Sequence, residues 1–377
     1  MKKILFVVNS SAFFASHRLP IAQQLIEKGY EVHLATPGEL LPIFDKIGLR
    51  FHKLALSRKG MNPFNELRVI WQLFKLFTGL QPDIVHTVTI KPYLYGGVAA
   101  KLAKVPALVS AVAGFGVVFI ASGIKAKVLR TFLYPLYKLA FSHKNQSIIF
   151  QNSDDADFMS DWVTINASKV CLIRGSGVDL NIYQYSPEPI GKPVVIFVGR
   201  LLVDKGIREF IDASKIIYNN EIEAVFWVVG DLDEGNPSSI SKVEIDTWKE
   251  LPNVRVIGFQ TDIGDLYTKS NIVCLPSYRE GLPKSLIEAA ACGRAVVTTD
   301  VPGCRDAIET NETGLLVPVN DAFALADAIE YLIKNPDVRK RMGAAGRDLA
   351  EKEFAIEKIV SEHMKIYVNL LNKVDFK

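Results

Sequence analysis

The sequence predicts an α/β protein made of two doubly wound parallel-sheet domains, and three observations carry that prediction. The chain has 377 residues, more than one hydrophobic core accommodates and enough for two domains of ordinary size. Short Val- and Ile-rich runs alternate with helix-period segments from end to end, the pattern of βαβ units. The alternation halts once, around Gly175-Ser176-Gly177 and the stretch holding Pro187, Pro189, Gly191 and Pro193, and then restarts.

Taken in order, the strand candidates before the break are Ile4-Val8, Val32-Thr36, Ile84-Thr87, Ala107-Val112, Ser147-Gln151 and Val170-Arg174. Helical segments separate them: Pro20 suits a first helical turn, Gly29 a C-terminal cap, and Pro63 and Pro92 open two more helices. After the break come Val194-Val198, Val225-Val229, Val254-Ile257, Ile272-Leu275 and Ala295-Thr298, each followed by a helix. The expected organisation is a first domain over 1–176, a linker over 177–192, a second domain over 193–354, and a terminal amphipathic helix over 355–377 that returns toward the first domain. Val105 to Ile124 is free of charge but is broken by Pro106, Gly114, Gly116 and Gly123, so it reads as a buried strand and turn rather than a membrane span.

Charge divides the chain more sharply than its net value of +3 indicates. Residues 1–153 hold 19 Lys/Arg against 6 Asp/Glu, the remainder 25 against 35, and no acidic residue occurs from Ile84 to Ser153. Such asymmetry calls for an anionic partner of the first half. No nucleic-acid recognition module is apparent, so nucleic acid is not expected. Cys171, Cys274, Cys292 and Cys304 form no CxxC pair and read as free thiols of a reducing compartment. The apolar run at Ile4-Val8 is too short for a signal-peptide core, which leaves the sequons at Asn166 and Asn311 little weight.

Two motifs carry chemistry. Pro276-Ser277-Tyr278-Arg279-Glu280-Gly281-Leu282-Pro283 follows a strand and opens a helix, with Pro283 expected at the first helical position, so the amides of Gly281, Leu282 and the opening turn are placed for a phosphate. Glu288 lies about 7.5 Å further along that helix, at 1.5 Å per residue, within reach of another part of the same ligand. Gly199-Arg200 through Lys205-Gly206 follows the strand Val194-Val198 and puts two cations on the same sheet edge. Arg200 suits a forked grip on phosphate oxygens and Lys205 a point charge, together stabilising a diphosphate leaving group with no metal or other cofactor.

Gly-Arg-x4-Lys-Gly combined with Pro-Ser-x2-Glu-Gly-x6-Glu-Ala-x2-Cys-Gly resembles the family 4 glycosyltransferases of the GT-B fold over nearly the whole chain. The resemblance implies two Rossmann-like domains facing a central cleft and a metal-independent transfer with retained configuration, in which the leaving phosphate accepts the acceptor's proton. It implies that Arg200 and Lys205 hold the donor diphosphate, that Glu280 with Gly281 and Leu282 contacts the transferred sugar, that Glu288 binds the ribose, and that Gly258 and Phe259 lie beside the base, with UDP preferred. Ser16-His17-Arg18-Leu19-Pro20, His86-Thr87-x3-Lys91-Pro92, Gly114-Phe115-Gly116 with Phe119, and Gly230-Asp231-Leu232-Asp233-x2-Asn236-Pro237 are similar to the branch that extends polyprenyl-diphosphate-linked saccharides, N-acetylgalactosaminyltransferases in particular.

Two places depart from the family pattern, Asn9-Ser10-Ser11 and Ala113-Gly114, so His17 and His86 are the candidates for assisting the acceptor, both expected just after strands. Phe115, Phe119, Phe132, Tyr134, Tyr137 and Phe141 interleave with Lys125, Lys127, Arg130, Lys138 and Lys144, and with Lys91 these cations are expected to face an anionic membrane from its cytoplasmic side. Other readings are a nonhydrolysing UDP-sugar epimerase, which shares the fold, and a family 4 transferase with a soluble acceptor. Asp231-Leu232-Asp233 imitates the metal motif of GT-A enzymes and reads better as a loop. Neither domain opens with the GxGxxG of a dehydrogenase.

Overall fold

The computed structural model describes residues 1–57, 63–115, 119 and 123–375, with side chains at 63, 125, 126 and 375 left out. Gly116 and the side chain of Lys125 therefore lie outside the described residues. The chain forms two compact units, Met1–Ser176 with Glu357–Lys377, and Gly177–Ile356.

Unit 1 is built on seven parallel strands: β1 (Lys3–Val7), β2 (Glu31–Thr36), β3 (Arg50–Lys53), β4 (Ile84–Val88), β5 (Ala107–Val112), β6 (Gln146–Phe150) and β7 (Val170–Leu172), in the order β3-β2-β1-β4-β5-β6-β7. The central strands β1 and β4 are apolar runs buried on both faces, as a parallel sheet between helical layers requires. From β3 to β6 each connection moves the same way across the sheet, and right-handed crossovers put helices Pro63–Leu80, Ile90–Leu102 and Ile124–Ala140 on one face. The middle helix is buried from Pro92 to Ala100 because the other two pack against it on either side. The terminal helix Ile356–Asp375 completes the unit, with His363 and Tyr367 in contact with His86.

Unit 2 carries six parallel strands: β8 (Val194–Val198), β9 (Val225–Val229), β10 (Val254–Gly258), β11 (Ile272–Leu275), β12 (Ala295–Thr299) and β13 (Gly314–Val317), in the order β10-β9-β8-β11-β12-β13. Both sheets are doubly wound, as the sequence predicts. The segment read as a linker is held against unit 2 by three arginines. Arg294, with no exposed surface, donates to the carbonyls of Ser186 at 2.8 Å and Tyr267 at 2.7 Å. Arg339 pairs with Glu188 at 2.9 Å with both side chains buried, and Arg347 reaches the carbonyl of Tyr183 at 3.0 Å. All four cysteines are unpaired.

Candidate active site

In unit 2 the chain leaves β8 toward one edge of the sheet and β11 toward the other, so the gap between their carboxyl ends is the topological switch point where open α/β sheets bind ligands. Arg200 and Lys205 follow β8 and Glu280 follows β11, so strand order alone delivers all three to that gap.

Two glycines let the loops close on one another. Gly206 has a φ of +72°, and a Cβ there would stand 2.0 Å from the carbonyl oxygen of Pro276. Gly303, at +81°, allows the same approach beneath the carbonyl of Glu280. The carbonyl of Asp204 accepts the hydroxyl of Ser277 at 3.0 Å and the amide of Tyr278 at 2.9 Å. On this fixed backbone Lys205 Nζ and Glu280 Oε1 form an ion pair, with side chains 19% and 11% exposed.

Arg200 occupies a neighbouring place. Its Nη1 lies 2.5 Å from Oδ2 of Asp233, which also accepts from Asn236 Nδ2 at 3.1 Å. Both members of this pair line a cavity of about 330 Å³ together with Gly230, Asp231, Phe259 and Gln260. Phe259 is two-thirds exposed there, just beyond Gly258 at the end of β10. Each cation is thus held by a carboxylate on a loop at the sheet edge, and a polyanion entering the gap can exchange for either carboxylate without new charge being buried.

Glu288 stands on helix Lys284–Ala291, almost fully buried. Burial pushes its carboxyl above the usual carboxylate range, opposed by Lys284 at 3.4 Å and by hydrogen bonds from Tyr183 and Tyr267. Pro283 is the N-cap of this helix, not its first residue: its ring fixes φ at −71°, but ψ is extended at 123°, and helical geometry begins at Lys284. Sequence reasoning missed Asp233, set aside as part of a loop, and Tyr183, which falls in the segment taken for a linker. The spacing of Asp233 from Arg200 carries no signal, because the contact is made by the turn after β9.

The residues expected in unit 1 are distributed differently from the sequence reading. His86 lies inside β4 rather than after it, has no exposed surface, and shares a 2.6 Å hydrogen bond with the hydroxyl of Tyr367. Desolvation, aided by His363 and Arg18, holds its pKa well below the ordinary histidine value, as for a ring packed in the interior of unit 1. His17 ends helix Ser11–His17, half-buried, stacked on Phe13 and 2.7 Å from Ser16 Oγ. Lys91 is paired with Glu66 at 2.6 Å and largely buried, so it adds no net charge to the surface. Arg130 lies over the ring of Phe119 at 5.8 Å and donates to its carbonyl at 3.4 Å. Phe115, Phe119, Tyr137 and Phe141 belong to the unit's core; of the six aromatics that interleave with the cations only Phe132 is strongly exposed, and Lys127 is exposed on the same helix. The register of the helix decides this, since its aromatic face turns toward helix Ile90–Leu102.

Residues 181–349 match the model of glycosyl transferases group 1 and residues 3–152 that of glycosyl transferase 4-like proteins. The chain is similar to the N,N'-diacetylbacillosaminyl-diphospho-undecaprenol alpha-1,3-N-acetylgalactosaminyltransferase of Campylobacter jejuni, 30% identical over 99% of this chain and 100% of that one. It is 24% identical to the UDP-Gal:alpha-D-GlcNAc-diphosphoundecaprenol alpha-1,3-galactosyltransferase of Escherichia coli, over 83% of this chain and 82% of the relative. Its backbone superposes on HepE of Anabaena, solved with UDP and glucose, with a TM-score of 0.79 and 18% identity over 98% and 100% of the two chains. With both halves matched and a full-length relative at this identity, the chain belongs to the family 4 glycosyltransferases and has their GT-B fold.

Proposed function

We propose that this glycosyltransferase moves an N-acetylhexosamine, N-acetylgalactosamine by preference, from a UDP-sugar to a polyprenyl-diphosphate-linked saccharide in bacterial surface glycan assembly. The observation that carries the reading is the contact between Lys205 and Glu280 at the switch point, beside a cavity held by Arg200. Donor diphosphate takes the two cations from their carboxylates, and the leaving group is stabilised by fixed positive charge and needs no metal. Glu280, released from Lys205, turns to the hydroxyls of the transferred sugar. Glu288 holds the ribose, and Phe259 the base.

Departure and attack occur on one face, so configuration is retained and the leaving phosphate takes the acceptor's proton. His17, the more exposed of the two candidate histidines, is assigned to the acceptor. The C. jejuni relative supports the lipid-linked acceptor and the N-acetylgalactosamine donor, and the basic first half supports an anionic membrane surface as the place of reaction. The test is a donor screen with a short-chain polyprenyl-diphosphate sugar, run with and without chelator. Product one N-acetylhexosamine heavier, released UDP and chelator-insensitive rates are expected; turnover of UDP-sugar without acceptor would indicate an epimerase instead.

A further inference from the structure

A cavity of about 820 Å³ lies in unit 1 at the amino ends of three neighbouring strands: Pro106 precedes β5, Lys144 and Asn145 precede β6, and Ser168 and Lys169 precede β7. Its remaining wall is the last part of helix Ile356–Asp375, at Asn372 and Lys373. Open α/β sheets take their substrates at the carboxyl edge, so this cavity is at the other edge of its own sheet. It also belongs to a different unit from Arg200, Lys205 and Glu280.

Lys144, Lys169 and Lys373 bring three ammonium groups to the cavity, and no described side chain that lines it is acidic. No carboxylate pairs with any of the three among the described residues. Lys169 is held in place, since its Nζ donates to the carbonyl of His143 at 2.7 Å, and an ammonium so placed keeps further protons for a ligand. Burial and the nearby Lys101 lower its pKa, so another positive charge already presses on this group. Asn145 fixes the back of the cavity: its Nδ2 donates to the carbonyls of Pro106 at 3.1 Å and Leu370 at 3.0 Å, tying the start of β6 to the terminal helix. Asn166, Ser168 and Asn372 are exposed in the wall and add neutral donors and acceptors. Like charges gathered on a concave wall without carboxylates favour an anion that spans them, and the neutral groups between them suit hydroxyls. The volume falls within the roughly 300–1,000 Å³ of small-molecule sites.

We propose that this cavity is a second anion site, which binds a soluble sugar phosphate or diphosphate with its phosphate on Lys144, Lys169 and Lys373 and its hydroxyls on Asn166, Ser168 and Asn372. Two of these residues lie on the terminal helix and the others just before strands, so occupancy braces that helix against the sheet it completes. The site depends on neither the donor nor the acceptor assigned above.

The test is titration calorimetry of the full chain with inorganic pyrophosphate, and with N-acetylglucosamine 1-phosphate and inorganic phosphate as further probes. Wild type is expected to take up two pyrophosphates per chain, one at the donor site and one here. Arg200→Ala/Lys205→Ala should retain the second, and Lys144→Gln/Lys373→Gln, at exposed positions where folding is undisturbed, should weaken it by at least about tenfold. In the Arg200→Ala/Lys205→Ala chain, pyrophosphate should raise the thermal transition of unit 1 and leave that of unit 2 in place. The sugar phosphate should bind more tightly than inorganic phosphate, and Ser168→Ala/Asn372→Ala should remove the difference; equal affinities in wild type would overturn the sugar part of the assignment. Uptake unchanged by Lys144→Gln/Lys373→Gln, or absent once Arg200 and Lys205 are replaced, would overturn the site. Displacement of pyrophosphate by phosphatidylglycerol vesicles and not by the sugar phosphate would overturn its assignment to a soluble ligand. If the donor reading fails instead, wild type takes up a single pyrophosphate, which Lys144→Gln/Lys373→Gln loses and Arg200→Ala/Lys205→Ala keeps.

Discussion

Lys205 and Glu280 touch, so their substitutions are not independent. Lys205→Ala removes a cation from the diphosphate and also leaves the Glu280 carboxylate without its partner. Each single alanine variant is expected to lower kcat/KM by more than tenfold, a loss above about 1.4 kcal/mol of transition-state stabilisation. The double variant should lose less than the product of the two, because the pair acts as a unit; a multiplicative loss in steady-state rates would show two separate roles. Residue identity is the most legible part of the site: the spacing singles out Arg200, Lys205, Glu280 and Glu288, and the structure places the first three in the segments that follow β8 and β11 and Glu288 inside helix Lys284–Ala291. Partners were not legible. Nothing in the chain near Arg200 announces Asp233, 33 residues away, and nothing announces that Lys91 would be matched by Glu66, 25 residues earlier.

Among elements, the strands read from apolar runs are present with ends shifted by a residue or two, and the two that were missed are both at sheet edges. β3 is Arg-Phe-His-Lys and β13 is Gly-Leu-Leu-Val, one without an apolar run and the other only four residues long, so neither carries the signal of a strand buried on both faces. The stretch from Gly177 to Lys192 illustrates the opposite failure. Its prolines and glycines mark irregular backbone correctly, but irregular backbone is not the same as a loose tether: Glu188 places a charge 4% exposed against Arg339, itself 6% exposed. Glu188→Ala should therefore destabilise unit 2 by about 3–5 kcal/mol, since it strands a buried guanidinium. Urea unfolding of the variant measures this; a loss below about 1 kcal/mol, typical of an exposed pair, would mean the segment is not a structural part of the unit.

For the molecule as a whole, acid is expected to act on one half. Five of the six histidines, His33, His52, His86, His143 and His363, have pKa values lowered by burial, that of His363 to about 3, and all five belong to unit 1. A histidine depressed in the folded state is neutral there, while the unfolded chain takes up protons near pH 6.5. The stabilisation is thus complete above about pH 6.5 and is lost as pH falls toward the folded values, by up to about 1.4 kcal/mol per pH unit for each fully depressed group. Calorimetry at pH 7.5 and pH 5 should show the transition of unit 1 falling well ahead of that of unit 2, the latter identified by its rise with UDP under the proposed donor reading. Parallel shifts of both transitions would contradict it. The terminal helix has a further consequence for biosynthesis. Unit 1 begins at Met1 but takes His363, Tyr367 and Leu370 into its interior from the other end of the polypeptide. During synthesis at roughly 5–20 residues per second, it must wait for those last turns to leave the ribosome, while Gly177–Ile356, contiguous and already emerged, is free to fold first. The earlier-translated half is the later to mature, and a released chain truncated after residue 356 should hold a protease-resistant second unit beside an unfinished first.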